Sequence, residues 1–154
     1  MTPALVIADY APRHAGVWRA LNEAWITRWF ALEPKDHAVL ADPEGLILAK
    51  GGRILIAERD GEPLGCAALL KLDDGGFEVG KMAVADHAKG QGVGRALMDA
   101  CIAAARAAGA PRLYLESNAR LTPALALYRS VGFVDLPPRA TPYARVDVFM
   151  ELVL

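Results

Sequence analysis

The 154-residue sequence lacks the marks of several protein classes. It has only two cysteines, Cys66 and Cys101, and neither belongs to a CxxC or a Cys/His pair with metal spacing. That excludes a disulfide framework and a zinc module, and both thiols read as buried small hydrophobes. Its three histidines, His14, His37 and His87, are scattered without ligand spacing, so no metal is expected. No charge sign dominates: 17 Lys and Arg stand against 18 Asp and Glu, a formal net charge of −1. A dedicated nucleic-acid binder carries a basic excess, so nucleic acid is not an expected partner. No apolar run approaches the ~20 residues of a membrane span. Residues Met1 to Tyr10 have no basic region ahead of their short apolar stretch, and a signal peptide needs one. The expectation is a cytoplasmic protein with no membrane partner. Ser117 and Ser130 lie in no GxSxG elbow, which argues against serine hydrolysis.

What is present is material for a core. Hydrophobic residues make up 54% and charged residues 23%. A chain of this length buries roughly 68–70% of its unfolded surface as one domain, here residues 1–154. Leu5 to Tyr10 reads as a strand. Arg13 to Leu32 reads as a helix, with Trp18, Leu21, Trp25, Trp29 and Leu32 on one stripe until Pro34 interrupts it. A short helix is expected near Asp36 to Leu40. Three strands follow, Arg53–Arg59, Pro63–Leu72 and Phe77–Val84, joined by the turn signals Asp60-Gly61 and Asp73-Asp74-Gly75-Gly76. Then come a helix over Gly92–Ala108, a strand over Arg112–Ser117, a helix over Thr122–Val131 and a long last strand over Tyr143–Leu154. This order predicts a mixed α/β sheet with helices on its faces.

Between the third strand of the meander and the next helix lies Lys89-Gly90-Gln91-Gly92-Val93-Gly94-Arg95. Glycines there permit positive φ and remove bulk. Several N–H groups can converge at a helix N-terminus whose dipole favours an anion, and Lys89 and Arg95 add charge. The loop is a phosphate site on physical grounds. It is not a P-loop, which needs GxxxxGK[ST]. Nor is it a dinucleotide fingerprint, because the spacing is GxGxG and a meander precedes it.

Val84 followed by Lys89 to Leu97 resembles the [R/Q]xxGx[G/A] pyrophosphate motif of the GNAT family of N-acetyltransferases, with Lys89 departing at its first position. Leu113 to Asn118, then Ala126-Leu127-Tyr128, then Gly132-Phe133, resembles the family's next strand and helix. The resemblance covers about Arg53 to Phe133 and the remainder by element order. It implies a mostly antiparallel sheet with a V-shaped split between strands 4 and 5, and acetyl-CoA as co-substrate without a metal. Backbone groups of Met82, Ala83 and Val84 would pair with the pantetheine arm, and Asn118 would touch it. Lys89, Gly90, Gln91, Gly92, Val93, Gly94, Arg95 and Ala96 would hold the pyrophosphate. Tyr128 would stand near the thioester sulfur.

In the implied reaction a neutral amine attacks the thioester. It must first lose a proton, and the leaving thiolate must gain one. Tyr128 can supply the second, because its hydroxyl is a donor at neutral pH. Glu78 is a candidate base. It shares parity with Met82 if no bulge intervenes, which would aim it into the cleft. Glu33 is an alternative that attracts a cationic amine, and Glu116 is a weaker one. Trp29, Arg139 and Tyr143 are further substrate candidates; Arg139 and Arg145, flanking Pro142, could grip a carboxylate but read first as solvated arginines. The expected acceptor is a primary amine of a small molecule. A protein amine, a non-catalytic acyl-CoA-binding module and assembly as a homodimer all remain open.

Overall fold

The computed structural model describes residues 3–154 as one seven-stranded sheet with helices on both faces. The elements run β1 (Leu5–Asp9), α1 (Ala15–Trp29), α2 (Pro34–Ala41), β2 (Arg53–Arg59), β3 (Glu62–Lys71), β4 (Phe77–Val84), α3 (Val93–Ala107), β5 (Arg112–Ser117), α4 (Thr122–Ser130), β6 (Val134–Asp135) and β7 (Val148–Val153). The strand order is β1-β2-β3-β4-β5-β7-β6, antiparallel throughout except where β4 and β5 run parallel. A parallel pair needs a crossover, and α3 supplies it. This is the mixed, mostly antiparallel sheet that the resemblance implies.

Two cores form, one on each face. α3 presents Val93, Leu97, Met98, Cys101, Ile102 and Ala105, a helical stripe that buries against Leu69, Val79, Leu113 and Leu115. On the other face Trp18 of α1 and Val39 and Leu40 of α2 close over Ile54, Ile56, Cys66 and Ala68. Both cysteines are free and buried, and burial pushes each thiol pKa up to about 12.

Three sequence expectations change. The helix expected from Arg13 to Leu32 has a 3₁₀ turn over Pro12–His14 and ends at Trp29. Its start is fixed by His14, whose Nδ1 accepts from Ala11 N at 2.8 Å while Nε2 faces Glu58 Oε1 at 3.3 Å. Pro34 then opens α2 at its first position, where a missing N–H costs nothing. The last strand begins at Val148 rather than Tyr143. The alternation from Tyr143 onward is real, but the polar groups there bond to other elements instead of a strand ladder. The two-residue β6, which pairs with β7, had no signal of its own. Among the described residues, no helix is long and apolar enough to cross a membrane.

Candidate active site

β4 and β5 pair at Phe77↔Leu113, Glu78↔Tyr114 and Val79↔Leu115, and then part. Beyond that point the backbone groups on the facing edges lose their ladder partners. A cavity of about 250 Å³ opens in the gap.

β4 carries a bulge there. Cys66 pairs with Ala83 and Ala68 with Gly80, so β4 spends one residue more than β3 across this interval. The extra residue lies at Lys81–Met82, and Lys81 adopts φ 49°, left-handed backbone that an L-residue enters at a cost of about 1–2 kcal/mol. The expected parity of Glu78 and Met82 therefore fails. Met82 and Val84 pack toward the α3 core, Ala83 packs toward α1 and α2, and Glu78 still lines the cavity.

The strain at Lys81 is offset by what its side chain reaches. Its Nζ lies 2.7 Å from Asp36 Oδ1 and 3.1 Å from the Tyr143 hydroxyl, 4.6 Å from that ring's centroid. Asp36 is fully buried on α2 and receives Arg145 as well, Nη1 to Oδ2 at 2.6 Å and Nη2 to Oδ1 at 2.7 Å. The backbone N–H of Glu33 donates to Asp36 Oδ2 at 2.9 Å. Burial alone would raise the Asp36 pKa, but hydrogen bonds from Arg145, Lys81 and Glu33 hold it well below the usual carboxylate range. Burial lowers the Lys81 pKa, with Asp36 opposing. Arg145, read from sequence as solvated, is half-buried and grips carboxylates of its own chain.

These contacts tie the segment 141–147 across the cavity as a strap. Ala144 N donates to Glu33 Oε1 at 2.9 Å, and Thr141 Oγ1 donates to Glu116 Oε1 at 2.7 Å. Asn118 Nδ2 donates to Arg145 O and Asn118 Oδ1 accepts from Arg120 N, both at 2.8 Å.

Other sequence candidates scatter. Glu78, Met82, Asn118, Tyr128 and Tyr143 all line the cavity. Trp29 is 37% exposed, packs edge-on against Trp25 at 6.3 Å and lies outside the lining. Arg139 also lies outside it, with its guanidinium 5.4 Å over the Tyr114 ring. Glu33 is spent on the strap rather than facing the cavity. Glu116 does face it and accepts from the Tyr114 hydroxyl at 2.8 Å.

Glu78 and Tyr128 are titratable groups in the cavity that keep free valences. The Glu78 carboxylate makes no hydrogen bond among the described residues. Burial and the nearby Glu116 charge push its pKa up to about 7, against the pull of Lys35 and Lys81. Tyr128, from the opposite face of the sheet, is raised to about 12 by burial, so its phenol stays protonated at neutral pH.

The glycine loop sits where β4 leads into α3. Gly90 and Gly92 have φ of 76° and 80°, which glycine adopts without strain, and nothing lies within 4 Å of a Cβ built on either. Gly92 caps α3. The first N–H groups of a helix have no partner within it, and those of Gly92, Val93, Gly94 and Arg95 find no backbone acceptor among the described residues. Lys89 pairs with Asp86 at 2.9 Å, and Arg28 of α1 reaches the same carboxylate at 2.6 Å.

Comparison with known proteins agrees with this geometry. The model of the Acetyltransferase (GNAT) family matches residues 16–133. An "IAA acetyltransferase" of Azospirillum brasilense is 35% identical over 154 residues, covering 97% of each chain. The structure of a GNAT-family acetyltransferase from Staphylococcus aureus superposes with a TM-score of 0.85 at 19% identity, covering 96% of this chain and 98% of that one. The acetyltransferase yncA from Salmonella typhimurium, solved with its cofactor acetyl-CoA, gives 0.78 at 20% identity, with coverage of 97% and 94%.

The clamp on Asp36 predicts a stability effect with a definite pH signature. Removing one partner of a buried ion pair costs about 3–5 kcal/mol, so Asp36→Ala should lower the unfolding free energy from denaturant titration by that amount. A depressed carboxylate contributes stability that is complete above its unfolded pKa, near 4, and fades only in stronger acid. The gap between parent and Asp36→Asn should thus stay constant from pH 5 to 8 and narrow below.

Proposed function

Because the chain belongs to the GNAT family of acetyltransferases, we propose that it moves an acetyl group from acetyl-CoA to a primary amine of a small molecule, by direct attack of the amine in a ternary complex. What supports this most directly is the pairing in one cavity of Glu78, an unbonded carboxylate with a pKa near neutrality, and Tyr128, a phenol that stays protonated.

The residues present fit acetyl-CoA. The unpartnered N–H groups at the start of α3 and the open space over Gly90 and Gly92 suit a pyrophosphate, with Lys89 to Ala96 holding it. The unpaired edge of β4 at Met82, Ala83 and Val84 suits the amide-bearing pantetheine arm, with Asn118 just past the end of β5. When bound, this co-substrate supplies a thioester carbonyl as electrophile.

The chain's own groups do the rest. Glu78 takes a proton from the incoming ammonium, a transfer less uphill for a carboxylate raised to about 7 than for one at its ordinary value. Backbone N–H groups near Met82 stabilise charge developing on the carbonyl oxygen. Tyr128 donates its proton to the departing sulfur. The strap over 141–147 and the modest cavity favour a small acceptor over a polypeptide. Two buried free thiols suit a cytoplasmic setting. Thiol release from acetyl-CoA, followed with free amines and with lysine peptides in parallel, tests the reading. Release with peptides alone would overturn the small-molecule assignment.

Three variants divide the labour. Gly92→Glu puts bulk and negative charge at the anion cradle, so acetyl-CoA binding by calorimetry should vanish, whereas Gly92→Ala keeps measurable affinity. Glu78→Gln should lower kcat by about 10²-fold. A base must be deprotonated to act, so the parent's kcat should fall as pH drops through about 7, and the variant should lack that limb. Tyr128→Phe should reduce kcat by roughly 10²-fold while the acetyl-CoA Kd moves less than about threefold, because the proton donor matters only as the thiolate leaves.

A further inference from the structure

On the acceptor side of the cavity one side chain is missing from the floor. Gly80 follows Glu78 on the same face of β4 and lines the cavity. Its backbone is not in the left-handed region, so no turn or strain requires glycine there. A Cβ at this position would meet only Leu70 Cδ1, at 3.2 Å, the far end of a flexible side chain. The fold would accept alanine. What the glycine leaves is room.

Part of the wall around that room is apolar. Leu70 pairs in register with Glu78, Ile26 comes from α1, Val39 from α2 and Pro142 from the strap. The charges are also mostly spent. Lys81 and Arg145 are matched by Asp36 and Glu33, which leaves Glu78 and Glu116 facing one cation without an ion-pair partner among the described residues, Lys35. Such a lining welcomes a single ammonium. Among the described residues it offers an acidic group no free cation beyond Lys35 and a diamine no unmatched carboxylate for its second ammonium, while Asn22 Oδ1, buried without a partner, adds one neutral acceptor.

We propose that the acceptor is a monoamine with a compact apolar body that lies over Gly80, and that Gly80 sets the largest body admitted. This rests on the amine-acetylating reading above. A pocket that gains one or two methyl groups excludes a ligand that filled the space, and a single methylene in an apolar pocket is worth about 10–200-fold in discrimination.

The test uses phenethylamine, propylamine, phenylalanine and putrescine as acceptors, with the parent, Gly80→Ala and Gly80→Val. For the parent, kcat/KM should be at least about tenfold higher with phenethylamine than with phenylalanine or putrescine. Gly80→Ala and then Gly80→Val should lower it progressively for phenethylamine, through KM, to about tenfold or more, and less for propylamine. The acetyl-CoA Kd and the melting temperature should hold in both variants. Preference for phenylalanine or putrescine would overturn the inference, as would variants that treat phenethylamine like the parent or lose both monoamines equally. Those results would leave the acetyltransferase reading standing. No thiol release with any of the four, from protein that binds acetyl-CoA, would sink the small-amine reading and this inference with it.

Discussion

β4 and β5 hold each other through three residue pairs and then separate, and most of what the molecule offers a ligand follows from that separation. A parallel pair held along its whole length would satisfy every backbone group and leave no slot. The parting is sustained from both sides. α3 packs beneath β4 through Val93 and Leu97, while β5 is drawn away into its antiparallel pairing with β7 from Arg112↔Val153 to Ser117↔Val148. Unpaired strand edges are costly to bury dry, so they become places where an amide-rich ligand replaces the missing strand.

Asp36 holds the far wall of that slot. One buried carboxylate gathers Lys81 from β4 and Arg145 from the strap, and it is itself fixed by the N–H of Glu33. Floor, roof and the start of α2 are thereby joined through one group. The cost of burying three charges is met by four short hydrogen bonds rather than by solvent. The same arrangement leaves Glu78 as the cavity carboxylate without a bond of its own, which is why burial raises its pKa toward neutrality while Asp36 is driven the other way.

Much of this was legible in the sequence, and the reasons are local. β2, β4 and β5 have the expected bounds because β-branched and apolar runs there end at glycine, aspartate or asparagine turns. The glycine loop could be recognised because positive φ beside a helix start has few other causes. The bulge could not. Lys81 is neither glycine nor asparagine, and its left-handed backbone is stabilised by Asp36, forty-five positions away, and by Tyr143 further still. Asp36 looked like the first turn of a short helix. Arg145 sat in an alternating stretch that reads as a strand, but Asp147 N bonds Ser117 O and the Asp147 side chain accepts from Ala119 N, which ends the ladder at Val148. Long-range ion pairs leave no periodicity, so the strap and its anchors emerge only from the folded chain.

The bulge also dictates what kinds of inheritance β4 can tolerate. Its two halves obey opposite rules of inside and outside: Phe77 and Val79 face the α3 core, and so do Met82 and Val84, across a break in parity. Loss of one residue at Lys81–Met82 would restore a regular strand and leave Met82, Ala83 and Val84 on the faces they now hold, whereas flattening the bulge at constant length would exchange the occupants of the two cores, moving Ala83 to where a larger side chain now packs and Val84 into the space fitted for alanine. β4 can therefore give up its bulge only together with one residue of its length. When relatives of this chain are aligned, a single-residue gap at the bulge marks a strand that runs flat and keeps both cores, while a gap elsewhere in β4 turns one core out of phase.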